Sequence, residues 1–319
     1  YFHSFGTTGQ DCLAATFHNF WLKSIEDGYK EEFEDYSLEI KAARKNRFAR
    51  LKDGSLNYAY HFDASLYAKF LRKFSEAKGV TRREGTILNV EQDDQSGDIK
   101  ALHLKDGTCI DGDLFIDCTG FRGMLIEKTL HAGYEDWSHW LPCDRAIAVQ
   151  TELKGDVTPY TRSTAHENGW GWRIPLQNRV GNGLVYCSKT MTDEEAEKKL
   201  LDNVDGKLLT TPRVIPFKTG RRRKAWLKNC VAIGLSSGFL EPLESTSIHL
   251  IQRGIIRLLQ LFPTQGIKQT DVAEYNRQSV SETNYIRDFI ILHYKVTNRV
   301  DSEFWRYCKN MEVPESLQR

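Results

Sequence analysis

The chain has 319 residues, with 44 Lys and Arg against 43 Asp and Glu, a formal charge of +1 and an aromatic share of 11%. That balance gives no basic surface for nucleic acid, the longest apolar runs fall far short of a membrane span, and seven scattered cysteines without C-x-x-C spacing argue against a disulfide framework or a structural zinc site. A reducing cytoplasm fits such cysteine usage, no signal-peptide pattern opens the chain, and the length allows one large domain or two.

Leu13, Phe17, Phe20, Trp21 and Ile25 recur at helical spacing before Gly28, which predicts a core-facing helix. Asp63 can cap a second helix, with Leu66, Phe70, Leu71 and Phe74 on one face and Gly79 as its stop. Thr86–Val90, Ile99–Leu104 and Thr108–Ile110 read as strands, the last two joined at the hairpin signal Asp106-Gly107. Leu114–Cys118 is an apolar strand that closes at Thr119-Gly120. Two readings stand for it: a buried strand ending at glycine, or a strand end that brings backbone close to a cofactor. Trp170 and Trp172 alternate along a strand, a pattern ordinarily given by packing residues. The run Arg221-Arg222-Arg223-Lys224 reads as a solvated loop, with an anionic ligand as the alternative. From about Asp271 the pattern turns helical, with Tyr275, Ile286, Phe289, Ile290 and Leu292 apolar. No internal repeat is evident, and the class is mixed α/β.

Cys230 to Leu250 is the most informative stretch. An apolar strand enters a turn at Gly234, passes Glu241, Pro242 and Glu244, and meets a helix with Ile248, Ile251, Ile255, Leu258 and Leu259 at helical spacing. A helix start leaves its first N–H groups without partners and adds the positive end of the helix dipole, so the N–H groups of Thr246 and Ser247 offer an anion site. A capped helix leaving a sheet is the plain alternative.

Gly234 to Leu250, with its Leu-Glu-Pro-Leu turn and Glu-Ser-Thr run, resembles the signature of the flavin-dependent halogenases of the tryptophan halogenase family. Trp170-Gly171-Trp172-Arg173-Ile174-Pro175 is similar to that family's W-x-W-x-I-P motif, and the likeness extends from Tyr1-Phe2-His3-Ser4-Phe5-Gly6 to Asp301-Ser302-Glu303-Phe304-Trp305. The resemblance implies a glutathione-reductase-like FAD-binding fold with a helical substrate-binding cap. Residues 1–270 would form the FAD-binding module and 271–319 the cap. The chain holds no G-x-G-x-x-G; in the family that fingerprint and an essential lysine precede the His-x-Phe motif, so the module is expected to be incomplete at its N-terminus, with both elements upstream of residue 1.

The chemistry implied is FADH2- and O2-dependent oxidation of halide to hypohalous acid, which halogenates an electron-rich aromatic. Carried over residue by residue, Glu244 is the catalytic glutamate, Thr246 and Ser247 bind halide, and Gly120, Gly234, Pro242 and Ile248 contact the cofactor. His3, Phe5, Tyr294, Phe304 and Trp305 contact the substrate, while Trp170 and Trp172 line the pocket; Glu241 is expected to brace the turn. Taken alone, His3 reads more readily as a structural histidine. The chain departs from the pattern in three places. Ser247 stands where many relatives carry Gly, which a backbone site tolerates unless positive φ is needed, and Leu235-Ser236 follows Gly234 where hydroxylases of this fold use Asp. His293-Tyr294 and Val300 stand where tryptophan halogenases align a Tyr pair and a Glu that bind the amino acid. Val300 cannot pair with an ammonium, which points to indole or another electron-rich aromatic rather than free tryptophan. The expected partner is a separate flavin reductase. A flavin monooxygenase or hydroxylase, or a non-catalytic flavin-binding protein, is the competing reading.

Overall fold

The computed structural model describes His3 and residues 6–318; Phe5 lies outside the described residues. Three helices come first: α1 (Phe17–Glu26), α2 (Leu38–Arg44) and α3 (Ala64–Ala77). Asp63 starts α3 as expected, its carboxylate accepting from the N–H groups of Ser65 and Leu66. The core-facing expectation for α1 is not met. Its helical period is present, yet no residue of α1 is buried; Phe33 packs against Phe17, His18 and Trp21, and Tyr36 against Phe17. The apolar face of α3 is open in the same way.

An antiparallel meander follows, β1 (Ile87–Gln92), β2 (Ile99–Leu104) and β3 (Cys109–Asp111). Its second turn sits at Asp106-Gly107, where Gly107 adopts φ 87° and Asp106 accepts from the Thr108 N–H. Next come β4 (Phe115–Asp117) and a π-helical turn at Met124–Thr129. A run of strands succeeds them: β5 (Tyr134–Asp136), β6 (Arg145–Thr151), β7 (Arg162–His166), β8 (Gly169–Pro175) and β9 (Val180–Tyr186). After α4 (Asp193–Leu201) the chain forms β10 (Arg213–Pro216), β11 (Gly220–Arg222), β12 (Trp226–Leu227), β13 (Cys230–Ala232) and β14 (Gly238–Phe239). It closes with α5 (Thr246–Gln260), α6 (Gln269–Lys295), α7 (Glu303–Asn310) and α8 (Glu315–Gln318).

The main layer is an antiparallel sheet of order β10-β6-β9-β8-β7. Because side chains alternate across a strand, β9 sends Leu184 and Tyr186 to α4 and Val185 to the opposite face. There Val185 packs with Trp137, Trp170, Ile290, Ile291, Tyr294, Phe304 and Trp305. Helices α6, α7 and α8 therefore share a core with the sheet. The run expected as a solvated loop is partly β11. Arg222 is buried, ion-paired to Glu127 at 2.9 Å and donating to the Ser236 carbonyl, while Arg221 pairs with Glu135 at 2.7 Å. Two carboxylates in reach make those burials possible; Arg223 and Lys224 stay exposed.

The small sheet β12-β13-β4, in which β13 and β4 run parallel, places the turns after Asp117 and after Ala232 side by side. Asp117 is fully buried, and one carboxylate oxygen accepts from the N–H and hydroxyl of Thr119 at 2.8 and 2.7 Å. The other accepts from the N–H groups of Leu125 and Ile126, both at 2.9 Å. Its carbonyl meanwhile accepts from the Ile233 N–H and the Ser236 hydroxyl. The side chain thus satisfies four donors around the Gly120 turn, and the backbone carbonyl ties that turn to the Gly234 turn. Asp117→Ala in the full-length protein should lower stability by about 3 kcal/mol or more, through orphaned buried donors. Urea denaturation measures it, and a loss below about 1 kcal/mol would contradict this account of the turn.

Candidate active site

β13 delivers the chain to Gly234, whose φ of 76° lets it bend at once into a short 3-10 turn. After β14 the chain buries Leu240 and Glu241, and Pro242 starts a second 3-10 turn over Pro242–Glu244. Ser245 then adopts φ 55°, ψ 32°, a left-handed conformation uncommon for a residue with a side chain. From there α5 begins without a side-chain cap. Ser247 is not among the positive-φ residues, so its side chain strains nothing there. The Thr246 hydroxyl oxygen is buried with no hydrogen-bond partner among the described residues. An uncapped helix start with an unsatisfied hydroxyl is an environment that favours an anion. Ile248 lies 45% exposed on the open side of the same helix.

The two glutamates of this turn point in opposite directions. Glu241 is fully buried, and its Oε2 accepts from Trp170 Nε1 at 3.0 Å and from the Tyr294 hydroxyl at 2.5 Å. Its Oε1 has no partner among the described residues. Burial outweighs these two hydrogen bonds and pushes the carboxyl up to about 7. Glu244 keeps 19% of its side chain exposed and lies between two imidazoles, with His293 Nε2 at 2.8 Å from Oε1 and His3 Nε2 at 3.5 Å from Oε2. The Phe289 ring stacks edge-on to His293, with centroids 4.7 Å apart, and lies 5.9 Å from His3.

Tyr294, Phe304 and Trp305, expected to contact substrate, are buried. The Tyr294 hydroxyl is committed to Glu241, the Trp305 indole N–H to the His166 carbonyl at 2.6 Å, and the three rings pack on one another. The reason is the buried carboxyl: it needs donors, and Tyr294 supplies one from α6. Trp170 is buried by the same bond, and Trp172 lies half-buried over Gly183, where any side chain would collide with its ring. Gly120 adopts φ 72° with nothing within 4 Å of the place a Cβ would take, so its backbone stands clear. Val300 is exposed. The adjacent residues His293 and Tyr294 of α6 grip Glu244 and Glu241 respectively, a contact that sequence spacing does not announce.

The family model described as tryptophan halogenase matches residues 1–319. The chain belongs to the tryptophan halogenase family. It is 37% identical to the tryptophan 7-halogenase RebH of Lentzea aerocolonigenes over all of this chain and 61% of that protein. Among solved structures, Xcc4156, a flavin-dependent halogenase from Xanthomonas campestris, is 57% identical with a TM-score of 0.97, over 99% of this chain and 64% of that one. BrvH, a flavin-dependent halogenase from Brevundimonas sp. BAL3, is 48% identical with a TM-score of 0.95, over 99% and 66%. The chain thus spans about three fifths to two thirds of the length of these relatives, and its mixed helix-and-sheet fold is theirs.

The buried carboxyl makes stability pH-dependent in a defined sense. Native Glu241 keeps its proton up to about pH 7, whereas the unfolded chain releases it near 4.5. Between those values the native state binds more protons, so stability falls as pH rises from about 4.5 to 7 and then levels, by on the order of 3 kcal/mol. Urea denaturation of the full-length protein at pH 5 and 7.5 should show this drop in the wild type and lose it in Glu241→Gln; parallel behaviour of the two would contradict the burial argument.

Proposed function

We propose that the protein of which this chain is part is an FADH2- and O2-dependent halogenase of an electron-rich, indole-like aromatic. The observation that carries the reading is the uncapped start of α5, with its unsatisfied Thr246 hydroxyl, directly after Glu244. Halide is assigned to the N–H groups of Thr246 and Ser247. The flavin is assigned to the side where Gly120 and Gly234 carry no obstructing side chain and where Pro242 and Ile248 lie. These residues fit the cofactor: both glycines adopt positive φ, the backbone at Gly120 stands clear, and Ile248 offers an apolar edge to a flat ring. Bound reduced flavin supplies, with O2, the oxidising equivalents that turn halide into hypohalous acid.

This chain's own part is to place halide and aromatic on either side of the Pro242–Ser245 turn. Glu244 Oε2 faces the half-exposed His3, and we assign it as the acceptor of the proton that leaves the ring carbon as the carbon–halogen bond forms. His3 and Phe5 are assigned to the aromatic itself. The wall that includes Trp170 and Trp172 separates flavin from substrate. Exposed Val300 offers no partner to an ammonium, which supports an aromatic without a bound zwitterion. A separate flavin reductase supplies the reduced cofactor, and a cytoplasmic setting suits seven free thiols. Among the described residues no helix is long and apolar enough to cross a membrane.

The test is halide-dependent turnover of the full-length protein with a flavin reductase, read by mass spectrometry on indole and tryptophan at equal concentration. Halogenated product is expected, with indole favoured by about tenfold or more, because an unpaired ammonium costs on the order of 1–3 kcal/mol. Glu244→Gln should retain FAD and lose about a hundredfold in turnover. Hydroxylated product, or turnover indifferent to halide, would favour the monooxygenase reading.

A further inference from the structure

His293 has both ring nitrogens occupied. Nδ1 lies 2.8 Å from the Phe289 carbonyl, one turn back on α6, and Nε2 lies 2.8 Å from Glu244 Oε1. A carbonyl only accepts, so Nδ1 carries a proton. If Nε2 were bare, its lone pair would face a carboxylate oxygen at hydrogen-bond distance, two acceptors without a proton between them. The arrangement is satisfied when Nε2 is protonated as well, which makes the ring an imidazolium opposite a carboxylate.

The other groups around the ring do not supply that charge balance. From the N-terminal segment, His3 stands 6.2 Å away between ring centroids and faces the second oxygen of Glu244. On α6 itself the Phe289 ring is apolar, Tyr294 turns to Glu241, and Lys295 donates to the Met311 carbonyl at 2.6 Å. Glu244 is the acidic side chain in contact with His293, and its hydrogen bond raises the imidazole above its ordinary value, outweighing partial burial.

We propose that His293 is the positioning residue for Glu244: as an imidazolium it fixes Oε1, turns Oε2 toward His3 and the aromatic, and thereby sets the upper pH limit of proton removal from the ring. The proposal rests on the reading of Glu244 as the proton acceptor. When Nε2 loses its proton, the carboxylate meets a lone pair, the hydrogen bond is lost, and Glu244 is free to swing away. Turnover then falls on the alkaline side although the carboxylate itself remains charged.

The experiment uses the full-length protein with FAD, labelled with 15N-histidine. Nitrogen shifts of His293 should report both nitrogens protonated at neutral pH, with a midpoint above that of an ordinary imidazole, and Glu244→Gln should bring that midpoint down. A His293 that is neutral at pH 7 with a midpoint unmoved by Glu244→Gln would overturn the proposal. In kinetics, His293→Gln should lower kcat by about tenfold to a hundredfold with little change in KM for the aromatic, and should abolish the alkaline fall of kcat. An unchanged alkaline limb in that variant would also overturn it. If His293→Gln fails to fold, the wild-type and Glu244→Gln titrations still decide. Full turnover by Glu244→Gln would sink the proton-acceptor assignment alone, because the shift titration judges the His293–Glu244 contact without reference to activity.

Discussion

A single buried carboxyl sets the geometry of the site. Glu241 occupies the point where β8, the turn before α5, and α6 meet, and its Oε2 is shared by the indole N–H of Trp170 and the hydroxyl of Tyr294. A polar group this deep costs stability unless it is hydrogen-bonded, so each element is held to the others by the same requirement. Rotating any one of them would leave a buried acceptor or donor without its partner. Because Tyr294 is fixed by Glu241, the preceding His293 is delivered to Glu244, and because Pro242 separates the two glutamates by one tight turn, Glu244 is delivered to the open side. Burial of one acid thus positions the other.

Asp117 plays a comparable part beneath the glycine turns. Four donors on its carboxylate hold Thr119 to Ile126 in place, and its carbonyl holds Ile233 and Ser236, so that the two strand ends of the parallel pair open side by side. The open backbone at Gly120 and the uncapped start of α5 lie on that shared edge. Ser245, at the start of α5, adopts a left-handed conformation with no side-chain cap.

Features governed by local rules were legible in the amino-acid order. The Asp63 cap, the Asp106-Gly107 hairpin, the strand into Gly234 and the helix beyond Ser245 all follow from near-neighbour chemistry, and the motifs from Trp170 to Pro175 and from Gly234 to Leu250 carry the family. What spacing left open was decided by partners far along the chain. Arg221 and Arg222 look like solvated cations until Glu135 and Glu127 are seen beside them. That Glu241 and the His166 carbonyl take the polar atoms of Tyr294 and Trp305 is likewise invisible in the local sequence. The apolar stripe of α1 predicts the helix but not what packs upon it. The pairing of His293 with Glu244 has no signature in either local segment and becomes visible only when α6 is laid against the turn.

The claim that one carboxyl locks three elements is tested most directly by a double-mutant cycle on stability, using Trp170→Phe and Tyr294→Phe in the full-length protein. Because both donors converge on the same oxygen, the first substitution leaves Glu241 one partner and the second leaves it none. The two losses should therefore be coupled by about 1 kcal/mol or more. Losses that add within about 0.3 kcal/mol would show that the two side chains act independently, and would contradict the account.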